Sequence, residues 1–445
     1  MALETWLIRK VKAALSNRHN PVTKPVPPPL HLQSSSKTAA AAAKNKSIVG
    51  ILSFEIAGLM LKLLHLWHSL ADESLACLND SVLSLDGVLK LVSDDGTFLL
   101  GLVCGELVEN LRTAAASVAP LSLRCDDLSL REFVQAVEEF ADTGRDRHGW
   151  ALCSREMDSL SKTMDRYVKA TASLQREIYE LAVLESSLRK TVHTELNAKA
   201  VDLQQKILWK REEVKSLRER SLWCRSFDSV TAMIVRTVFT ALARIKLVFR
   251  GGEAGESSPV AEGFFKRNST AVTPPPGSIG EAALANHYAG LIILIEKMVK
   301  SPQLIGLDAR EDLYTMLPLS LRSALRRRLS GVRMWVADAG LAADWREAMG
   351  RILRWLSPLA HNTIKWQSER SFEQQNLIQR MARNSGCVFL LQTLYMARKD
   401  RAEAAITELL VGLNYIWRFE REMTARALFD ASAYEQHHHL QQFSA

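Results

Sequence analysis

From Met157 to Val192 the apolar residues fall three and four apart. Met157, Leu160, Met164, Tyr167, Thr171, Leu174, Ile178, Leu181, Leu188 and Val192 make up the series, and Glu185 interrupts it at an a-type position. The residues between are rich in Lys, Arg, Glu, Gln and Ser. This period puts one apolar stripe along a helix and leaves the other faces wet, so it dictates long helices packed lengthwise. The pattern occupies 155–223, and Asn197 is the expected place for a break. With only about five heptads and polar interruptions, packing within the chain is favoured over a free dimeric coil.

The rest of the chain keeps a helical period. Ile51, Phe54, Ile56, Leu59, Leu63, Leu66, Trp67 and Leu70 predict one helix, and shorter patterns follow around Asp72–Val92, Asp95–Val118 and Leu128–Asp142, the last with Asp127 and Ser129 as candidate N-caps. After 280, Leu284, Tyr288, Leu291, Ile295 and Met298 form another stripe. Ser278-x-x-Glu281 reads as a capping box that opens this helix, and Asp308-x-x-Glu311 repeats the logic. Pro302, Pro318 and Pro358 read as helix stops. Neither sustained period-2 alternation nor an Asn-Gly hairpin signal is present. The expected fold is all-α: two helical blocks with long paired, coiled-coil-like helices and flexible linkers. The expected order is a basic amphipathic helix at 1–16, a Pro/Ser/Ala linker at 17–46, a first domain at 47–250, a linker at 251–280, a second domain at 281–430 and a frayed tail at 431–445.

Charge adds a second constraint. The net charge is +8, yet the first 46 residues hold eight Lys/Arg against one acid, Glu4, so the remainder is close to neutral. Leu7, Ile8, Val11 and Leu15 share one helical face there, and Arg9, Lys10 and Lys12 lie largely on the other. Arg9, Lys10 and Lys12 are therefore candidates for contact with an acidic partner or a membrane surface. A nucleic-acid-binding domain would spread its positive charge over a folded face, so nucleic acid is disfavoured. Six cysteines lie far apart with no C-x-x-C pair, which suits buried, reduced thiols in an intracellular protein. Ile48–Trp67 is the most apolar stretch, but Glu55, Lys62 and His65 interrupt it, so a core helix is expected there, not a membrane span, and no secretion signal is visible.

Signatures of catalysis are missing from the sequence. It holds no G-x-x-x-x-G-K-[ST], no H-E-x-x-H and no G-x-S-x-G. His287 and His361 lack ligand partners at short spacing, and His437-His438-His439 sits in the tail, so no catalytic residue, metal or cofactor is assigned. Three surfaces remain. Arg322, Arg326, Arg327 and Arg328, with Arg333 near by, form a basic cluster suited to a phosphate or acidic peptide, or else to a solvated helix face paired with acids such as Asp338 and Asp344. Residues 229–250 are acid-free after Ser229, with Arg236, Arg244, Lys246 and Arg250; this pattern fits a calmodulin target, a membrane-surface helix, or a core helix whose basic stems reach the rim. Ser269 and Thr273, beside Lys266-Arg267 and ahead of Pro274, are candidate phosphorylation sites.

Three long stretches carry a resemblance. ALANHYAGLIILIEKMVKSPQLIGLDAREDLYTMLPLSLRSALRRRL (283–329), WREAMGRILRWLSPLAHNTIKWQSERSFEQQ (345–375) and LLQTLYMARKDRAEAAITELLVGLNYIWRFE (390–420) resemble the C-terminal domain of the plant phytosulfokine-simulator family. SIVGILSFEIAGLMLKLLHLWHSLADE (47–73) is similar to that family's N-terminal domain. The resemblance implies a plant growth-promoting protein linked to phytosulfokine peptide-hormone signalling, located in the nucleus or cytoplasm. It implies protein partners and no reaction. Some members begin Met-Gly and look myristoylated; this sequence has Ala2 and departs from that pattern. The expectation is a non-enzymatic adaptor, with a peripheral plasma-membrane or calmodulin-responsive protein as the alternative.

Overall fold

Residues 150–250 contain neither glycine nor proline, and in the computed structural model helices run through nearly all of them. The structure describes residues 48–192, 197–249, 264–269, 272–301, 306–330, 337–371 and 388–442. In chain order the first block holds α1 (Ser53–Ser69), α2 (Asp72–Cys77), α3 (Asp86–Leu91), α4 (Gly96–Ser122), α5 (Leu128–Arg131), α6 (Phe133–Thr143), α7 (Ser154–Val192), α8 (Asn197–Arg220) and α9 (Phe227–Val248). A short α10 (Phe264–Ser269) leads to the second block: α11 (Ala285–Lys300), α12 (Leu307–Met316), α13 (Leu319–Ser330), α14 (Ala339–Ser371) and α15 (Lys399–Gln442). Among the described residues there is no strand, only two isolated bridges, Ile48 to Ser226 and Ser278 to Arg398. The fold is all-α.

The long seam folds back within the chain. Thr171 meets Leu222, just past the end of α8, while Glu177 and Glu185, farther along α7, meet Lys210 and Arg211, farther back on α8. These pairs define an antiparallel hairpin. Its base is held by the first core through Met164, Val168 and Ala172. The centre of that core is α9, whose Val230, Ile234, Val238 and Leu242 are fully buried. Phe239 stacks on Phe140 at 5.1 Å and meets Trp150 edge-on at 5.0 Å. Helix starts follow local chemistry: Asp95 accepts from Thr97 N at 2.9 Å to cap α4, and Asp127 accepts from Ser129 N at 2.9 Å to cap α5. The stretch Gly50–Ser69 is long and apolar enough to cross a membrane, but Ile56, Met60, Leu63 and Leu64 are buried in the first core.

A second core forms around α11, where Tyr288, Leu291, Ile292 and Ile295 are fully buried against α14 and α15. The two cores exchange residues. Leu390, Leu391 and Met396, which follow α14 in sequence, belong to the first core; Leu91, at the end of α3, belongs to the second. Backbone bonds from Arg398 N to Leu91 O (2.8 Å) and Ile279 N to Ala397 O (2.9 Å) fix this exchange.

Several local expectations differ from what is found. The Ser278/Glu281 pair is made, with Ser278 Oγ accepting from Glu281 N (3.1 Å) and Glu281 accepting from Gly277 N (2.5 Å). It closes a turn that includes Ala283 at φ 53°, so α11 starts only at Ala285. Pro358 does not stop α14. Proline 358 and Arg354, whose carbonyl loses its helical donor, both lie on the exposed side. Leu353, Leu356, Leu359 and Ala360 continue one buried stripe past them. Part of the stretch read as a linker is built into the fold: Phe264 N donates to Asp142 (2.7 Å), and Pro274–Gly280 lies against the 395–399 segment. Residues 251–263 lie outside the described ones. The tail read as frayed continues α15 to Gln442, because no proline or glycine follows Gly412. Of the described cysteines, none in a disulfide, Cys125 is buried but Cys77, Cys153 and Cys224 are exposed, which corrects the expectation of uniform burial.

The contact between α3 and α14 rests on a glycine. A Cβ at Gly87 would sit 2.4 Å from both Leu359 Cδ1 and the Trp355 carbonyl oxygen. Gly87→Ala is expected to destabilise the protein by about 1–3 kcal/mol through overpacking. Gly101→Ala, where a Cβ meets open space on α4, is expected to be neutral or to stabilise by up to about 1 kcal/mol. Urea unfolding of the two variants against wild type checks this; equal midpoints would contradict the packing account.

Candidate interaction surfaces

The arginines of α13 are mostly engaged with their own fold. Arg322 lies over the Tyr314 ring at 5.3 Å and donates to Thr315 O at 2.6 Å. Arg326 donates to Tyr314 Oη at 3.0 Å, and Arg328 pairs with Glu408 of α15 at 2.6 Å. The Arg327 side chain is exposed. The cluster therefore ties α12, α13 and α15 together, through Glu408 and Tyr314 and not through Asp338 or Asp344. Arg333 lies outside the described residues.

Helix α9 presents its apolar residues inward. Arg244 pairs with Asp72 and donates to Leu70 O (3.3 Å), and Lys246 donates to Phe140 O (3.0 Å) while sitting over the Phe140 and Phe264 rings. Arg236 is exposed and Arg250 lies outside the described residues. Long basic stems thus reach the rim from a buried helix. A calmodulin lobe or a membrane would have to displace the first core to reach this apolar face.

The remaining candidates are scattered. Arg9, Lys10 and Lys12 lie outside the described residues. Ser269 ends α10, and Thr273 is exposed directly ahead of the Pro274–Gly277 turn. His287 Nε2 meets Met316 O at 2.7 Å, and His361 Nε2 meets Glu296 at 2.7 Å, so both histidines join helices. His437–His439 lie on α15. Among the described residues no group of three or more His, Cys, Asp and Glu is placed to hold a metal ion.

Two concave regions were not read from the sequence. A cleft of about 830 Å³ opens between the blocks, walled by Phe98, Leu102, Pro275, Pro276, Arg398 and Glu403 among others. Its charges are internally matched. Arg398 is held by Asp400 at 2.8 Å, and Glu403 accepts from Tyr288 Oη (2.5 Å) and Ser320 Oγ (2.7 Å). Burial, with the Glu403 carboxylate beside it, raises the Tyr288 phenol above its ordinary value, so the hydroxyl stays a donor. The second region, about 610 Å³, runs along one side of the α7–α8 hairpin around Trp209. The seam periodicity identified the inner face of that hairpin. The seam series ends at Val192, so Trp209, an isolated tryptophan on α8, carries no periodic signal.

Glu296 supplies a pH test. Burial acts to raise its carboxyl, but Lys300 and His361 outweigh burial and hold it below the ordinary value. A depressed folded value contributes stability above the unfolded carboxyl value near 4.5, and that contribution is lost as pH falls through the folded value. Glu296→Gln is therefore expected to flatten the acid limb of stability below that pH, measured by urea midpoints across the range. An unchanged acid limb would contradict the pairing.

Comparison with known proteins matches two domain families. Residues 51–107 match the domain of unknown function DUF3475, which covers α1 to the first half of α4, and residues 278–365 match the protein of unknown function DUF668, which covers α11 to most of α14. Three Arabidopsis thaliana proteins are similar along nearly the whole chain. Protein PSK SIMULATOR 1 is 27% identical over 90% of this chain, PSK SIMULATOR 3 is 28% identical over 86%, and PSK SIMULATOR 2 is 27% identical over 84%. The matches cover 60%, 58% and 60% of those proteins, so the chain spans less than two thirds of their length. No solved structure matches the chain. With both domains present in order and similarity extending through the hairpin between them, the chain is a homologue of the PSK SIMULATOR proteins.

Proposed function

We propose that this chain is a non-enzymatic signalling protein that promotes plant growth in phytosulfokine peptide-hormone signalling, through helical contacts with other proteins. Its homology to the PSK SIMULATOR proteins over 84–90% of the chain carries this reading. The described titratable groups support it. His287, His361, Arg322, Arg326, Arg328 and Glu403 are each tied into helix–helix joints. The hairpin, by contrast, leaves large apolar side chains in water. Monomeric proteins rarely expose contiguous apolar patches unless something covers them. Action in the nucleus or cytoplasm, or peripherally at the plasma membrane, is consistent with a basic segment around Arg9, Lys10 and Lys12. The occupied face of α9 favours the adaptor over the calmodulin-responsive alternative.

Proximity labelling tests the reading. The chain fused to a biotin ligase in root cells is expected to label components of phytosulfokine perception above a free-ligase control. Raised expression is expected to lengthen roots without added peptide. A labelling profile equal to the control, with unchanged roots, would remove the hormone-pathway assignment; turnover of a metabolite by the purified protein would remove the non-enzymatic one.

A further inference from the structure

On one side of the hairpin, Asp202, Lys206, Trp209 and Glu213 of α8 recur at i, i+4, i+7 and i+11 beside Leu184 of α7, and Glu177 and Glu180 of α7 reach the groove's edge at Lys210. Trp209 is 77% exposed although it is the largest side chain there, and Leu184 forms part of the floor. An exposed indole costs free energy that burial against a partner would recover. The groove lies outside both matched domains, so neither of them assigns it a role.

The charges identify what fits. Lys206 is matched by Asp202 at 2.8 Å. Lys210 is surrounded by three carboxylates: Glu177, Glu180 at 3.0 Å and Glu213 at 3.1 Å. Four carboxylates thus face two ammonium groups. Glu177 is mostly buried, but Glu180 and Glu213 are about half exposed, with oxygen capacity left for further donors. A surface with surplus negative charge repels anionic lipid and nucleic acid. A second copy is disfavoured too, because a two-fold interface would set this patch against itself, like charge on like. An apolar ridge flanked by Lys or Arg satisfies both the indole and the surplus carboxylates.

We propose that this groove docks a basic amphipathic helix of a partner protein, with the partner's apolar ridge on Trp209 and Leu184 and its cations on Glu180 and Glu213. From Asp202 to Glu213 the groove spans about 16 Å, roughly three helical turns. Such a partner helix packs as the third member of a bundle with the hairpin. This proposal gives a partner chemistry to the adaptor reading above and rests on it.

The test uses the full chain and two synthetic helices of about 14 residues. Both carry leucine at i, i+3/i+4 and i+7, one flanked by lysine and the other by glutamate. Calorimetry is expected to show binding of the lysine helix only, weakening as salt rises. Trp209→Ala is expected to weaken it roughly tenfold or more. The double variant Glu180→Lys/Glu213→Lys is expected to reverse the preference toward the glutamate helix, with helical content unchanged by circular dichroism. Equal binding of both peptides, or no effect of Trp209→Ala, overturns the proposal. So does a sedimenting dimer, or retention on phosphatidylserine vesicles, that Trp209→Ala abolishes. Root growth separates this from the broader reading. If wild type and Trp209→Ala both promote growth, the groove assignment fails and the adaptor stands; if wild type itself is inert, the adaptor fails whatever the peptides do.

Discussion

The described fold turns on one buried carboxylate. Glu106, in the middle of α4 and 9% exposed, accepts a hydrogen bond from Leu390 N at 2.7 Å. A carboxyl group removed from water is costly unless its polar atoms are occupied, and the Leu390 N–H occupies one of its oxygens. The bond therefore selects where the 388–398 segment crosses the first block. From that point the chain supplies both cores at once: Leu390, Leu391 and Met396 enter the first, while Leu394 and Ala397 enter the second. Thr363 holds the same segment from the other side, its hydroxyl accepting from Leu394 N at 2.9 Å while donating to Leu359 O at 2.6 Å. The two domains are thus joined by a shared strip of core, so neither has a complete interior without the other.

Helices were legible because their signal is repetitive. The seam from Met157 to Leu174 and the stripe from Leu284 to Met298 each repeat one fact, that every third or fourth residue is buried, and the structure shows the same inward faces. Single-residue signals were read less well. Pro358 breaks an isolated helix, but here the buried residues on either side outweigh the one lost hydrogen bond, and the orphaned carbonyl lies on the wet face. The Ser278/Glu281 box forms locally, yet tertiary bonds from Ile279 N to Ala397 O and Gly280 N to Tyr395 O pull the chain into a turn before the helix can begin. In each case contacts distant in sequence override a correct local preference.

Charge was the least legible feature, for a related reason. A run such as Arg326-Arg327-Arg328 is a patch on paper. In the fold its members reach Tyr314 and Glu408, up to eighty positions away in sequence. Residues 229–250 show the same effect, since Arg244 and Lys246 end on Leu70, Asp72 and Phe140. Side chains as long as arginine and lysine can leave the face on which the helical period places them. Counting bases along a helix therefore overestimates the positive surface left for a partner. The hairpin reverses this case: Lys210 is more than matched, and the surplus is negative.

The hairpin's own energetics suit it to an exchange of partners. Near its base, Met157, Met164, Val168, Thr171 and Leu174 are fully buried, and Thr171 accepts from Leu222 N at 3.2 Å. Beyond Leu174, the described residues of α7 include no fully buried side chain, and among the described side chains of α8 only Ile207 and Val214 are buried. Ion pairs between the helices replace burial there, with Glu177 and Glu180 on Lys210 and Glu185 on Arg211. The Glu180 and Glu185 pairs, open to solvent, contribute little individually, so stability falls with distance from the core. A rigid base with a weakly held outer half can rotate its side chains and adjust its helix spacing when a third helix arrives. The apolar area that third helix covers would stabilise the part of the hairpin that its own core does not reach.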